Sequence, residues 1–239
     1  PRLTPAEEFS VGVSLRNLKG NDVYWIAPNT LPVDHYIQYF GVGRVVRYPD
    51  EYFRDVQGYS RLMVSDAFYQ GWSDYEFVLV CQTDAIVLRP DLDQWTAKPY
   101  DYIGAPWPSG YSLTLNPSEI AVTGGLKCTT FVGNGGLSLR RVEGCIRLIR
   151  EFKSLSDEWY LRGHAEDLYF GFLGNISKNF ILPNITTAAY FSHDIDPGHL
   201  QQLIKGDIPF GVHAWDKYDK NLWIHKFRQL GLDFETIAP

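Results

Sequence analysis

The hydrophobic pattern is organised around residues 75–90. Phe77-Val78-Leu79-Val80-Cys81 is a continuous apolar run, Gln82-Thr83-Asp84 interrupts it, and Ala85-Ile86-Val87-Leu88 resumes it before Arg89-Pro90. A short apolar run bounded by polar residues predicts a strand buried on both faces. Ligands of open α/β sheets bind beyond the carboxyl ends of such strands, so Asp84 is expected at a cleft. Upstream, Thr4-Pro5-Ala6-Glu7-Glu8 predicts a helix start, with a Thr cap, an early Pro and acids in the first turn. Phe9, Val13 and Leu15 to Leu18 continue its apolar face. Val23 to Ala27 and Arg44 to Arg47 predict strands; Pro32 to Phe40 and Tyr59 to Gln70 predict helices.

Downstream, a short helical segment is expected over Asp91 to Lys98 and a strand over Tyr100 to Ile103. Ser109 to Thr130, rich in Gly, Ser, Thr and Pro, predicts a long functional loop. Val142, Cys145, Ile146, Ile149 and Phe152 recur at helical spacing, and Glu166 to Leu173 and Pro197 to Lys205 predict further helices. Phe180 to Leu182 and Ala188 to Ser192 are strand candidates, and Phe210 to Trp215 is a short apolar segment carrying His213. Helices alternating with short strands predict one α/β domain over residues 1–239, with a largely parallel central sheet flanked by helices.

Charge narrows the partners. Against 22 Lys and Arg stand 28 Asp and Glu, a net charge of -6 with no basic cluster, which argues against a nucleic-acid binder. The 7 Trp and 15 Tyr fit packing, or a cleft whose flat rings cover sugar faces. Cys81, Cys128 and Cys145 cannot all pair; the first lies in the expected buried strand and the last on a helix face, so reduced core cysteines and a cytoplasmic setting are expected. No apolar run reaches membrane-spanning length, which leaves peripheral association with the inner face of a membrane as the expected membrane contact. The opening Pro1-Arg2-Leu3-Thr4 has no initiator Met, as expected for a segment of a longer multi-domain chain.

Three constellations carry candidate chemistry. Asp84 offers a carboxylate to a hard divalent cation whose shell substrate phosphate would complete, and His213 could add a nitrogen, a combination suited to Mn²⁺. Gly133-Asn134-Gly135-Gly136 lets backbone approach a ligand closely, but matches neither Gly-rich phosphate fingerprint. Glu166-Asp167 places two acids at a helix start, where one could serve as general base. Taken singly, each has a simpler structural reading: a turn cap, a core histidine, a tight turn, a pair of acids favoured by the helix dipole. Phe191-Ser192-His193-Asp194 reads first as a surface turn at a strand end.

As a set and in this order, the motifs resemble a little-characterised domain family of GT-A-type glycosyltransferases. The resemblance rests on Tyr48-Pro49-Asp50-Glu51-Tyr52-Phe53, Gln82-Thr83-Asp84-Ala85, residues 100–107, residues 133–140, Glu166-Asp167 and residues 209–215. It implies a Rossmann-like GT-A domain that moves a sugar from a nucleotide-sugar donor to a hydroxyl of a saccharide or glycan acceptor, with inversion and with Mn²⁺ or Mg²⁺. Gln82-Thr83-Asp84 stands where that fold class carries Asp-x-Asp, so Gln82 replaces the first acid. Asp84 and His213 are then the implied metal ligands. Gln82, Thr83, Asp84, Asn134, Gly135 and Gly136 are implied donor contacts, and Asp167, beside Glu166, is the implied base. Trp107, Trp215 and His193 are expected on the acceptor side. The nucleotide-cradling first strand of such domains is expected before residue 1. Two rival classes are a carbohydrate-binding or catalytically inactive transferase-like module and a metal-dependent hydrolase, which would call for a denser cluster of acids and His.

Overall fold

The structure is a computed structural model and describes residues 2–115 and 126–234. The chain opens with helix α1 (Pro5–Asn17), where Thr4 and Glu7 form a reciprocal capping box. Strand β1 (Trp25–Pro28), helix α2 (Asp34–Phe40) and strand β2 (Val45–Tyr48) follow. Gly41, at φ 71°, ends α2 in the left-handed conformation that favours glycine. The helix expected over Tyr59 to Gln70 is two helices, α3 (Val56–Met63) and α4 (Asp66–Gln70). Each has its own cap: Asp55 accepts from the Gly58 amide and Ser65 from that of Phe68.

The organising stretch also divides. Strand β3 (Phe77–Cys81) is only half-buried, and Cys81 is exposed at its end. The fully buried run is β4 (Ala85–Val87), in a different sheet. After α5 (Leu92–Thr96) come two long strands, β5 (Tyr102–Leu115) and β6 (Leu126–Arg141). Their antiparallel pairing from Tyr111↔Thr130 to Leu115↔Leu126 occupies the ends of the expected loop; residues 116–125 lie outside the described residues. Helices α6 (Val142–Glu151) and α8 (Glu166–Ile176) pack against β6, and α7 (Lys153–Leu161) packs on α6 and α3.

Residues 188–191, expected as strand, belong to helix α9 (Ile185–Phe191), because Asn184 caps the Thr187 amide and starts a helix there. Strand β7 (Ser192–His193), helix α10 (Pro197–Leu203), strand β8 (Gly211–His213) and helix α11 (Lys220–Gln229) complete the order. Residues 180–182 form no strand; the Ile181 backbone instead pairs with Asp101, through its amide to Oδ2 and its carbonyl to the Asp101 amide.

The chain is thus mixed α/β, but not one largely parallel sheet. Parallel β1–β2 stands alone; β3–β6–β5 is antiparallel throughout; β8 is antiparallel to β4 and parallel to β7. The departure centres on β6, which pairs antiparallel with both β5 and β3.

The largest apolar cluster joins α3, α4, α6 and α8 around Tyr69, Tyr102, Phe170 and Phe172. A second wraps α1 and α11 around Trp215 and Trp223, and a third packs Phe191, Phe210 and Trp95 against β4 and β6. The β4 edge not paired with β8 meets α1. Ser14 Oγ accepts from the Val87 amide at 2.8 Å and Asn17 Nδ2 donates to the Val87 carbonyl at 2.8 Å. The face α1 buries is therefore half polar, Ser10 and Ser14 beside Phe9 and Val13. Among the described residues no helix is long and apolar enough to cross a membrane.

Candidate active site

Beyond the ends of β3 and β8, a cleft of about 510 Å³ gathers most of the candidate residues. Its lining includes Gln82, Asp84, Asn134, Gly135, Gly136, Glu166, Asp167 and His213. Residues 82–84 link β3 to β4, and backbone bonds hold this link: the Gln82 amide donates to the Gly136 carbonyl at 2.9 Å, and the Ala214 amide to the Asp84 carbonyl at 3.1 Å. Ala214 adopts φ 48°, a left-handed conformation uncommon for a residue other than glycine, immediately after His213.

His213 is the hub of one side. Its Nδ1 lies 2.8 Å from Asp194 Oδ2, and its Nε2 lies 3.2 Å from Asp84 Oδ1 and 3.1 Å from Gln82 Oε1. Burial disfavours a charged ring, but hydrogen bonds and charge from Asp194 and Asp84 outweigh it and raise the imidazole to about 10. Gly136 lies against the same ring: a Cβ there would sit 2.3 Å from His213 atoms, so only glycine fits.

On the other side the two adjacent acids part company. Glu166 is buried and ion-paired at 3.3 Å with Arg140, which has no exposed surface. The same guanidinium donates to Tyr69 Oη and Ser138 Oγ, each at 2.9 Å, and Ser138 Oγ donates to the Gly135 carbonyl at 3.0 Å. Ring faces of Tyr102 and Phe170 flank it, each 5.2 Å from its central carbon. Among the described residues Asp167 has no ion-paired cation; its Oδ1 accepts from the next amide, Leu168, at 2.7 Å. Burial, then the Glu166 charge, pushes its carboxyl up to about 7.

Four expected residues lie elsewhere. Thr83 turns away from the cleft, its hydroxyl donating to Glu7 Oε1 on α1 at 2.6 Å. Trp215 is fully buried against Phe9, Phe227 and Phe234, with Nε1 donating to Ser10 Oγ, so it forms no cleft wall. Trp107 is buried over Gly133, whose place a Cβ could not share with the indole ring. His193 is buried edge-on to Trp223, and burial lowers its ring to about 3. Apolar neighbours claimed these large rings before a ligand could.

Asp194, expected with His193 in a surface turn, is instead buried and joins the site. Its role depends on β7 lying parallel to β8, with His193 opposite Val212; one position further on, Asp194 comes level with His213. No local signal in Phe191-Ser192-His193-Asp194 reveals that pairing. Asp55, Tyr59, Lys217 and Tyr218 also line the cleft without having been singled out.

A family profile with the description "Protein of unknown function (DUF5672)" matches residues 43–213. That span contains the cleft from Asp55 to His213. No curated protein matches the chain.

Proposed function

The chain belongs to the DUF5672 family, whose description assigns no activity; from the resemblance of its motifs together with the cleft they form we propose a glycosyltransferase of GT-A type that moves a sugar from a nucleotide-sugar donor to an acceptor hydroxyl with inversion. The observation that carries this reading is the split between the paired acids: Glu166 is committed to Arg140, while Asp167 stands unpaired in the cleft and is pushed up to about 7. A base with a pKa near neutrality is what removal of a hydroxyl proton calls for. Asp167 takes the acceptor proton as the acceptor oxygen bonds to the anomeric carbon. The bond from that carbon to the diphosphate oxygen breaks on the opposite face, and the diphosphate leaves with the electron pair.

Among the described residues no group of three or more His, Cys, Asp or Glu is placed to hold a metal ion. His213 Nε2, Asp84 Oδ1 and Gln82 Oε1 nevertheless converge, and Asp194 on Nδ1 directs Nε2 toward that point. Without a cation Nε2 is protonated and shared between Asp84 and Gln82; a Mn²⁺ or Mg²⁺ shared with substrate phosphate would have to displace that proton to take one nitrogen and two oxygens here. Bound there, the ion would neutralise charge growing on the leaving diphosphate. Gly135 and Gly136 let the β6 backbone pack directly against Glu166 and His213, and Arg140 and Ser138 fix its course.

The test is a thermal-shift screen with nucleotide sugars, with and without Mn²⁺, followed by assay of nucleoside diphosphate release in the presence of glycan acceptors. Wild type should be stabilised by one nucleotide class and release its diphosphate, while Asp167→Asn should retain the stabilisation and lose release by about 10²-fold or more. Stabilisation without release in wild type would favour a carbohydrate-binding or inactive module, and undiminished release by the variant would remove Asp167 as base.

A further inference from the structure

Two lining residues of the cleft carry buried polar atoms with no hydrogen-bond partner, Tyr59 Oη and Asp194 Oδ1. Buried polar groups are nearly always paired, so an orphan inside a ligand cleft points to a partner that arrives with the ligand. Tyr59 is held there rather than free to turn away. On either side of it in α3, Gln57 Nε2 donates to the Gly163 carbonyl at 2.9 Å, Gly58 is packed so tightly that a Cβ would lie 2.4 Å from the Glu51 carbonyl oxygen, and the Ser60 hydroxyl meets the Glu166 amide at 3.3 Å. Gln82 lies close enough to the phenol to favour its ionisation, but outside hydrogen-bond geometry.

The two orphans differ in kind. A phenol can donate or accept, whereas the free oxygen of Asp194, whose other oxygen serves His213, can only accept. A phosphate oxygen at neutral pH has no proton to give Asp194 and would be repelled by it. An alcohol satisfies both kinds of partner. Resting on the glycosyl-transfer reading above, we propose that Tyr59 is a specificity residue that hydrogen-bonds a hydroxyl of the donor's sugar, with Asp194 Oδ1 accepting from the sugar as well. The diphosphate cannot satisfy Asp194, and the ribose hydroxyls of the nucleotide, which could satisfy both orphans, are separated from the sugar's by the diphosphate arm of the experiment.

The experiment compares wild type with Tyr59→Phe, which removes one oxygen and keeps the ring. Thermal unfolding is followed alone, with UDP or GDP, and with UDP-glucose, UDP-galactose, UDP-N-acetylglucosamine or GDP-mannose, all with Mn²⁺. The free variant should be as stable as wild type or slightly more so, because an unsatisfied group has gone. Its affinity for the diphosphate should be unchanged, and its affinity for the matching nucleotide sugar should fall about tenfold. Undiminished sugar-nucleotide binding overturns the proposal, as does equal weakening of diphosphate and sugar nucleotide. A marked loss of stability in the free variant also overturns it, by making the phenol a packing group. If wild type itself is stabilised by no nucleotide sugar, the transferase reading fails first and takes this proposal with it.

Discussion

Glu166 and Asp167 share a peptide bond but not an environment, and the difference is Arg140. Asp167 keeps its proton to about pH 7 in the folded chain and loses it in the ordinary carboxylate range when unfolded. As base it works only when ionised, so transfer should fall about tenfold per unit below pH 7, read from the pH profile of kcat/KM. The sign for stability is opposite. Between the ordinary carboxylate range and pH 7 the folded state holds a proton that the unfolded state has lost, so stability declines as pH rises. Urea unfolding at several pH values should show that decline flattened in Asp167→Asn. Arg140→Met should behave differently, leaving Glu166 buried without its cation and costing about 3–5 kcal/mol in the same measurement. Sequence could place two acids at a helix start, but could not say which one a distant arginine would claim.

Individual elements were most legible where their own residues terminate them. The Thr4–Glu7 box starts α1 as read from the sequence, and the cap motif makes Thr4→Ala worth about 1 kcal/mol in chemical denaturation. Ser65 was overlooked as a cap, and one expected helix became α3 and α4. The Asn184 cap was overlooked as well, and a strand candidate became α9. The long hairpin of β5 and β6 was illegible for another reason. Its Gly, Ser, Thr and Pro content reads as loop, yet strand pairing rests on cross-strand neighbours that composition does not contain. At the inner part of β6, Gly136 marks where element and site meet. Gly136→Ala would drive a methyl into a ring pinned by Asp194 and Asp84, and should abolish any Mn²⁺-dependent gain in nucleotide-sugar binding measured by calorimetry.

At the scale of the molecule, Trp107, Trp215 and Trp223 serve packing, while Tyr59 and Tyr218 line the cleft. Trp215, Trp223, Phe227 and Phe9 fill the space between α1, α11 and the β4–β8 sheet. Trp215→Ala should therefore cost about 3–5 kcal/mol of folding stability in urea. Loss of sugar binding without loss of stability would return Trp215 to the cleft. The mixed α/β class was legible from alternating patterns, but the sense of the sheets was not, because parallel and antiparallel neighbours draw on the same apolar runs. One feature of this assembly reaches beyond folding and chemistry. Among the described residues strand β4 has no neighbouring strand on its α1 side, yet its Val87 amide and carbonyl are taken by Ser14 and Asn17. A helix thus blunts a hydrophobic sheet edge with side chains in place of backbone. Such an edge, once bared, is a template for other chains, so the hydroxyl of Ser14 and the amide of Asn17 also guard the protein against self-association and clumping at high concentration.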